Sequence, residues 1–202
     1  MKMKTLWRFL LLLLITIYSC SPKKEKGELV YFSGRIANAQ TDSIYLLLNN
    51  REKAFALDFD GNFSDTIQLV DEGYKTLSIE REEFTIYLIP GDSLILNTDL
   101  KHLENNFKFS GIGKNRNNYL VDKSFKTDKF LTDHTELFKL APPDFKNQIK
   151  NFHQKVFEDL EKLEVNSSFI KTEKTNLNYD FINLLYIYKD SYTCLLYTSD
   201  AA

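Results

Sequence analysis

Cys20 has the one setting in this chain that specifies a reaction: a thiol placed directly after the small residue Ser19, at the end of an apolar run. A thiol there can take a diacylglycerol as a thioether, and cleavage just before it frees an amine for a further acyl chain. Cys194 is the only other cysteine, so once Cys20 is acylated no internal disulfide can form, and no Cys-x-x-Cys occurs. His102, His134 and His153 stand at no metal-ligand spacing with one another, with cysteine or with paired acids, and read as surface residues. Gly111-Ile112-Gly113 lacks the third glycine of a dinucleotide fingerprint and opens no βαβ unit, so it reads as a turn between a strand and a helix. Tyr31, Tyr45, Tyr74 and Tyr87 could line a ligand groove, although in strands such residues more often cover a core edge or pair across strands. The residues therefore assign no catalytic, cofactor-binding or metal-binding position. The assigned site is Cys20, as a lipidation site.

The segments around Cys20 are ordered as secretion requires. Lys2, Lys4 and Arg8 form a positive start, and Leu10 to Ile17 an apolar stretch broken only by Thr16. That stretch is shorter than the ~18–20 residues that span a bilayer, so residues 1–19 read as a signal peptide. Ile17-Tyr18-Ser19-Cys20 resembles a lipobox, with Tyr18 in place of the usual small residue. Each buried methylene adds ~0.8 kcal/mol of membrane affinity, so two or three acyl chains anchor a protein durably. Residues 20–28, including Ser21-Pro22-Lys23-Lys24-Glu25-Lys26, read as a tether. The absence of an acidic run after Cys20 points to an anchor in the outer membrane, facing the periplasm of the cell envelope. Without residues 1–19 the chain holds 23 bases against 28 acids, a net charge of −5. A mildly acidic body does not suit nucleic acid as the partner.

The elements that follow are of two kinds. From Leu29 to Phe109 apolar residues recur with period two between turn signals, as in a sandwich or barrel. Ile44, Leu46 and Leu48 alternate, as do Phe55, Leu57 and Phe59; Phe63, Ile67 and Leu69, then Phe84, Ile86 and Leu88, then Leu94 and Leu96 continue the pattern. About eight strands result, with Phe55, Leu57, Ile67, Ile86, Leu88, Leu94 and Leu96 in the core. Pro90-Gly91-Asp92 fits a tight turn, with proline fixing φ and glycine free to take φ > 0. After Gly113 the period becomes helical. Pro142-Pro143-Asp144 opens a helix carrying Phe145, Ile149, Phe152, Val156, Leu160 and Leu163, and a further helix carries Phe169, Leu177, Phe181, Leu184, Leu185 and Tyr188. The fold class is α+β: an antiparallel β domain over residues 29–113, sandwich or barrel-like, followed by a helical segment over residues 114–193.

Residues 194–202, Cys194-Leu195-Leu196-Tyr197-Thr198-Ser199-Asp200-Ala201-Ala202, back-translate to TGT-CTC-TTA-TAC-ACA-TCT-GAC-GCT-GCC. This is similar to the transposase end and primer site added to genomic libraries. The expectation is a translated sequencing adapter, which strips Cys194 of biochemical meaning; the alternative is a genuine short tail.

Two stretches resemble a known arrangement: Ile86-Tyr87-Leu88-Ile89-Pro90-Gly91-Asp92-Ser93-Leu94-Ile95-Leu96, and Phe107-Lys108-Phe109-Ser110-Gly111-Ile112-Gly113 through Asn117-Asn118-Tyr119-Leu120. They resemble the N-terminal β domain of Bacteroidota lipoproteins of the TlpA/ResA-like thiol-disulfide oxidoreductase type, with Lys114 standing where a small residue is commoner. The resemblance implies the order lipobox, β domain, helical segment and then a thioredoxin-like domain, whose paired cysteines attack substrate disulfides as thiolates. It therefore implies that residues 20–193 are the non-catalytic, redox-inert front of such a protein, with the thioredoxin-like domain absent here. The alternative is an envelope lipoprotein that binds peptide or glycan, or serves as a structural spacer.

Overall fold

The computed structural model describes residues 28–49, 51–133 and 136–199, with the side chains of residues 133 and 194–199 left outside that description. Cys20, the tether up to residue 27 and His134 lie outside the described residues.

Eight strands come first: β1 (Glu28–Ala37), β2 (Ser43–Leu48), β3 (Arg51–Ala56), β4 (Asn62–Leu69), β5 (Gly73–Ile79), β6 (Glu82–Leu88), β7 (Ser93–Asp99) and β8 (Lys108–Ile112). They form two four-stranded sheets, ordered β4-β1-β7-β8 and β3-β2-β5-β6, which do not close into a barrel. All neighbours are antiparallel except β1 and β7, which run parallel with Tyr31 opposite Ser93. The inward set of each strand follows from its period of two: Val30, Phe32 and Ile36 on β1, Leu77 and Ile79 on β5, Leu94 and Leu96 on β7. At the centre, Phe32, Phe55 and Phe63 meet edge to face, with ring centroids 5.0–5.8 Å apart. Of the expected core residues, Phe55, Ile67, Ile86, Leu88, Leu94 and Leu96 are buried and Leu57 is half-buried at the rim.

Phe59 departs from expectation. The alternation Phe55, Leu57, Phe59 suggests a longer strand, but β3 ends at Ala56 and Phe59 is fully exposed. The cause is Asp58, whose Oδ1 accepts from the backbone N–H of Asp60 (2.9 Å) and of Asn62 (2.8 Å) and so closes a turn before Phe59 can reach the core. The Pro90-Gly91 turn has the expected form: Asp92 N–H donates to Ile89 O (3.0 Å) and Gly91 has φ +89°. Gly111 lies within β8 rather than in the turn after it, with φ +86°, and a Cβ there would stand 2.1 Å from Ser93 O.

The helical part begins after Gly113. A 3-10 turn (Leu100–His102) and α1 (Leu103–Asn106) link β7 to β8, and α2 (Lys114–Asp133) follows β8. A 3-10 turn (Leu137–Lys139) leads to α3 (Pro142–Glu161), and α4 runs over Ser167–Ser199. Pro142 and Pro143 open α3, where a missing N–H costs nothing, and Asp144 suits the positive end of the helix. The apolar stripe of α3 is covered within the chain: Phe145 and Ile149 pack with Tyr188 of α4, and Val156 and Leu160 with Phe169 and Leu177. Among the described residues no helix is long and apolar enough to cross a membrane.

Candidate functional site

Four of the polar residues buried among the described residues, Asp92, Arg116, Asn117 and Glu173, lie where the helices meet the sheets. A two-sheet sandwich leaves edge strands whose backbone groups need partners. On one side those edges are β6 and β8, and α2 covers both. Two consecutive residues at its start do the work. Asn117 Oδ1 accepts from Tyr87 N–H (2.7 Å) while its Nδ2 donates to Tyr87 O (3.0 Å). Asn118 does the same for β8, accepting from Phe109 N–H (2.7 Å) and donating to Phe109 O (2.9 Å). Each carboxamide thus replaces the missing neighbouring strand, one per sheet. Arg116 adds a donation from Nε to Tyr87 O (3.1 Å) and a buried ion pair to Asp92. Asp92 also accepts from Ile89 N–H (2.7 Å), which ties the Pro90-Gly91 turn to the helix.

The opposite edges, β3 and β4, are closed differently. Lys53 and Asp65 point inward from the two sheets and pair across the gap, and Arg51 donates to Gln68 O (2.9 Å). Inward charges on edge strands also discourage pairing with other chains.

A second hub lies on the outer face of the β5–β6 sheet, beneath the helices. Tyr74 and Tyr87 stand opposite each other on β5 and β6, with rings 5.0 Å apart, and Phe169 of α4 covers both. One helical turn on, Glu173 is wholly buried. Its carboxylate accepts from the Tyr74 hydroxyl and from Lys123 Nζ (2.7 Å), so one side chain joins β5, α2 and α4. Burial, then the hydrogen bond to Glu173, pushes the Tyr74 phenol well above its ordinary pKa. Tyr119 is also pushed up, by burial first and then by the charges of Glu173, Asp159 and Asp180.

Beside this hub a cleft of about 500 Å³ opens between the sheet and the three long helices, walled by Thr85, Lys123, Phe152, His153, Glu173 and Asn176. His153, expected at the surface, is instead half-buried in that wall, 5.2 Å from Phe181, because it follows Phe152 on the covered side of α3. Its Nε2 is enclosed and lacks a hydrogen-bond partner. His102 is exposed, as expected. Of the four tyrosines considered as groove residues, Tyr74 and Tyr87 meet under α4, whereas Tyr31 and Tyr45 lie exposed on different sheets. Among the described residues no cluster of His, Cys, Asp and Glu could hold a metal ion.

The Tyr119 hydroxyl is buried without a partner. Removing an unsatisfied buried hydroxyl relieves a desolvation cost of ~1–3 kcal/mol. Tyr119→Phe is therefore expected to leave urea stability unchanged or raised. A clear loss would mean that the hydroxyl makes a bond essential to the fold.

Fold and site together define an open eight-stranded sandwich with a helical layer locked onto it by side chains. No family model, curated protein or solved structure matches this chain.

Proposed function

We propose that this chain is the non-catalytic front of a lipid-anchored thiol-disulfide oxidoreductase of the cell envelope. Cys20 carries the anchor, and the sandwich with its helices is a rigid spacer that holds a following thioredoxin-like domain off the outer membrane, on its periplasmic side. One observation supports this above the rest: three of the four charged side chains buried among the described residues, Arg116, Asp92 and Glu173, join helices to strands or turns, and the fourth, Lys75, donates to Asn49 (2.8 Å). Such joints favour rigidity, which suits a spacer. The quoted stretches that resemble oxidoreductase lipoproteins contain these joints: Asp92, Arg116, Asn117 and Asn118 lie in or beside them.

Two measurements test the proposal. Cys20→Ala, or globomycin, should block maturation and release the chain from the membrane fraction; unchanged processing and recovery without detergent would remove the anchor. Insulin reduction should be absent for this chain and present for the product of the complete gene. A gene that continues past Thr193 without paired cysteines, or stops there, would leave a second reading. That reading, an envelope module binding peptide or glycan, draws on the cleft beside Glu173 and the unpartnered Nε2 of His153. It requires a thermal shift with short peptides or chitooligosaccharides that His153→Phe abolishes.

A further inference from the structure

We infer that the outer face of the β4-β1-β7-β8 sheet rests on the lipid surface; the inference builds on the anchor at Cys20. The helices cover the other sheet and the β6/β8 side, so this face has no layer over it among the described residues. Four large apolar side chains stand out on it among polar neighbours: Leu29, Tyr31, Ile95 and Ile112 are 46%, 55%, 39% and 64% exposed. The register brings them together. Tyr31 and Ile112 both stand opposite Ser93, and Ile95 stands opposite Ser33 in the adjoining row. A contiguous exposed patch of this kind marks an interaction surface, and leucine, isoleucine and tyrosine suit the boundary between headgroup and acyl chain.

Charge selects the lipid surface as the occupant. The outward residues of the four strands include one acid, Asp99 at the end of β7, whose carboxylate accepts from Asn38 Nδ2 (2.6 Å). The two basic ones, Arg35 and Lys108, flank Asn97 in a single row and leave the face a net charge of +1. A weakly basic face on a chain that is acidic overall complements anionic headgroups. The alternative, standing on the end of the sheet nearest the tether, would press the exposed acids Glu28, Asp71 and Glu72 against them. Distance agrees, because seven residues, or eight Cα-to-Cα steps, separate Cys20 from Glu28. Fully extended they reach at most about 28 Å, and Leu29 and Tyr31 are the first outward residues met.

The experiment places one tryptophan in the full chain, in a Trp7→Phe background so that it is the sole reporter. The lipidated protein goes into vesicles of phosphatidylethanolamine and phosphatidylglycerol with brominated acyl chains. Tyr31→Trp and Ile112→Trp should be quenched several-fold more than Tyr45→Trp or Tyr179→Trp, which lie on the other sheet and on α4. Adding Arg35→Glu and Lys108→Glu should remove most of that difference. Flotation of Cys20→Ala reads the anchor separately. If the purified chain carries no lipid, Cys20 is coupled to a maleimide lipid in a Cys194→Ser background, so the face is tested even if the anchor reading fails. Equal quenching at all four positions on a vesicle-bound chain overturns the inference. So does unquenched Tyr31→Trp with concentration-dependent dimers, which would give this face to a second copy.

Discussion

Asp92→Ala is expected to cost about 3–5 kcal/mol, the range for breaking a buried ion pair by removing one partner. Asp92 is 2% exposed and Arg116 7%, so water cannot take the place of the lost carboxylate. The guanidinium would remain buried and uncompensated, and Ile89 N–H would lose its acceptor in the turn. For a chain of this length each kcal/mol moves Tm by roughly 2–4 °C, so a fall of about 6–20 °C should be seen by thermal unfolding. The sign of the double variant is informative. Arg116→Met in the Asp92→Ala background removes the stranded charge and should recover part of the loss, since apolar replacement of a whole buried pair is often neutral. A single variant that loses less than about 1 kcal/mol would show that solvent reaches Arg116 and that the joint is not dry.

Leu88→Ala should cost a similar amount, ~2–5 kcal/mol, by leaving a cavity in a close-packed core. Leu88 is fully buried at the end of β6. That strand breaks the simple alternation: Phe84, Ile86 and Leu88 point into the sandwich, yet Tyr87 between them is buried as well. Tyr87 faces outward and is covered by Phe169 and held by Asn117. The two faces can therefore be told apart by mutation. Leu88→Ala should lower stability while leaving the near-UV circular dichroism of the Tyr74–Tyr87 pair in place, because Tyr74 belongs to the helix-covered face. An unchanged melting temperature for Leu88→Ala would put that side chain outside the core.

Much of the architecture can be read from residue types because it depends on local periodicity. The period of two through residues 44–48 and 84–88, the proline and glycine of the Pro90-Gly91 turn, and the paired prolines opening α3 each act within a few residues of chain. What the residues conceal is long-range. Nothing in β1 announces that it lies parallel to β7, since Val30 and Phe32 would serve equally against any apolar strand. Asn117-Asn118 belongs to a stretch that carries the family resemblance, yet its role depends on two strand edges arriving on either side of one helix start. Phe59 misleads for the opposite reason: an alternation continued by chance beyond the strand, where the Asp58 carboxylate had already turned the backbone. Glu173 is the exception, a long-range joint with a local signal. It lies four residues after Phe169 and four before Leu177, both on the buried stripe, and an acid in that phase must either find partners or break the stripe.

The parallel pairing of β1 with β7 has a consequence for how the chain reaches its final state. Tyr31 finds its partner Ser93 only after 62 further positions, and the edges of β6 and β8 stay bare until Asn117 and Asn118 follow. A chain exported as proposed above must therefore wait, with its first strand unpaired on one side, until almost half of it has been delivered. Closure of such distant contacts is slow, and bare edges invite pairing with other chains. The last turn of sequence needed to cap both sheet edges is the start of α2. Chains interrupted before residue 118 should therefore aggregate more readily in a refolding assay than the full chain, in which both edges and the Tyr74–Tyr87 face are covered.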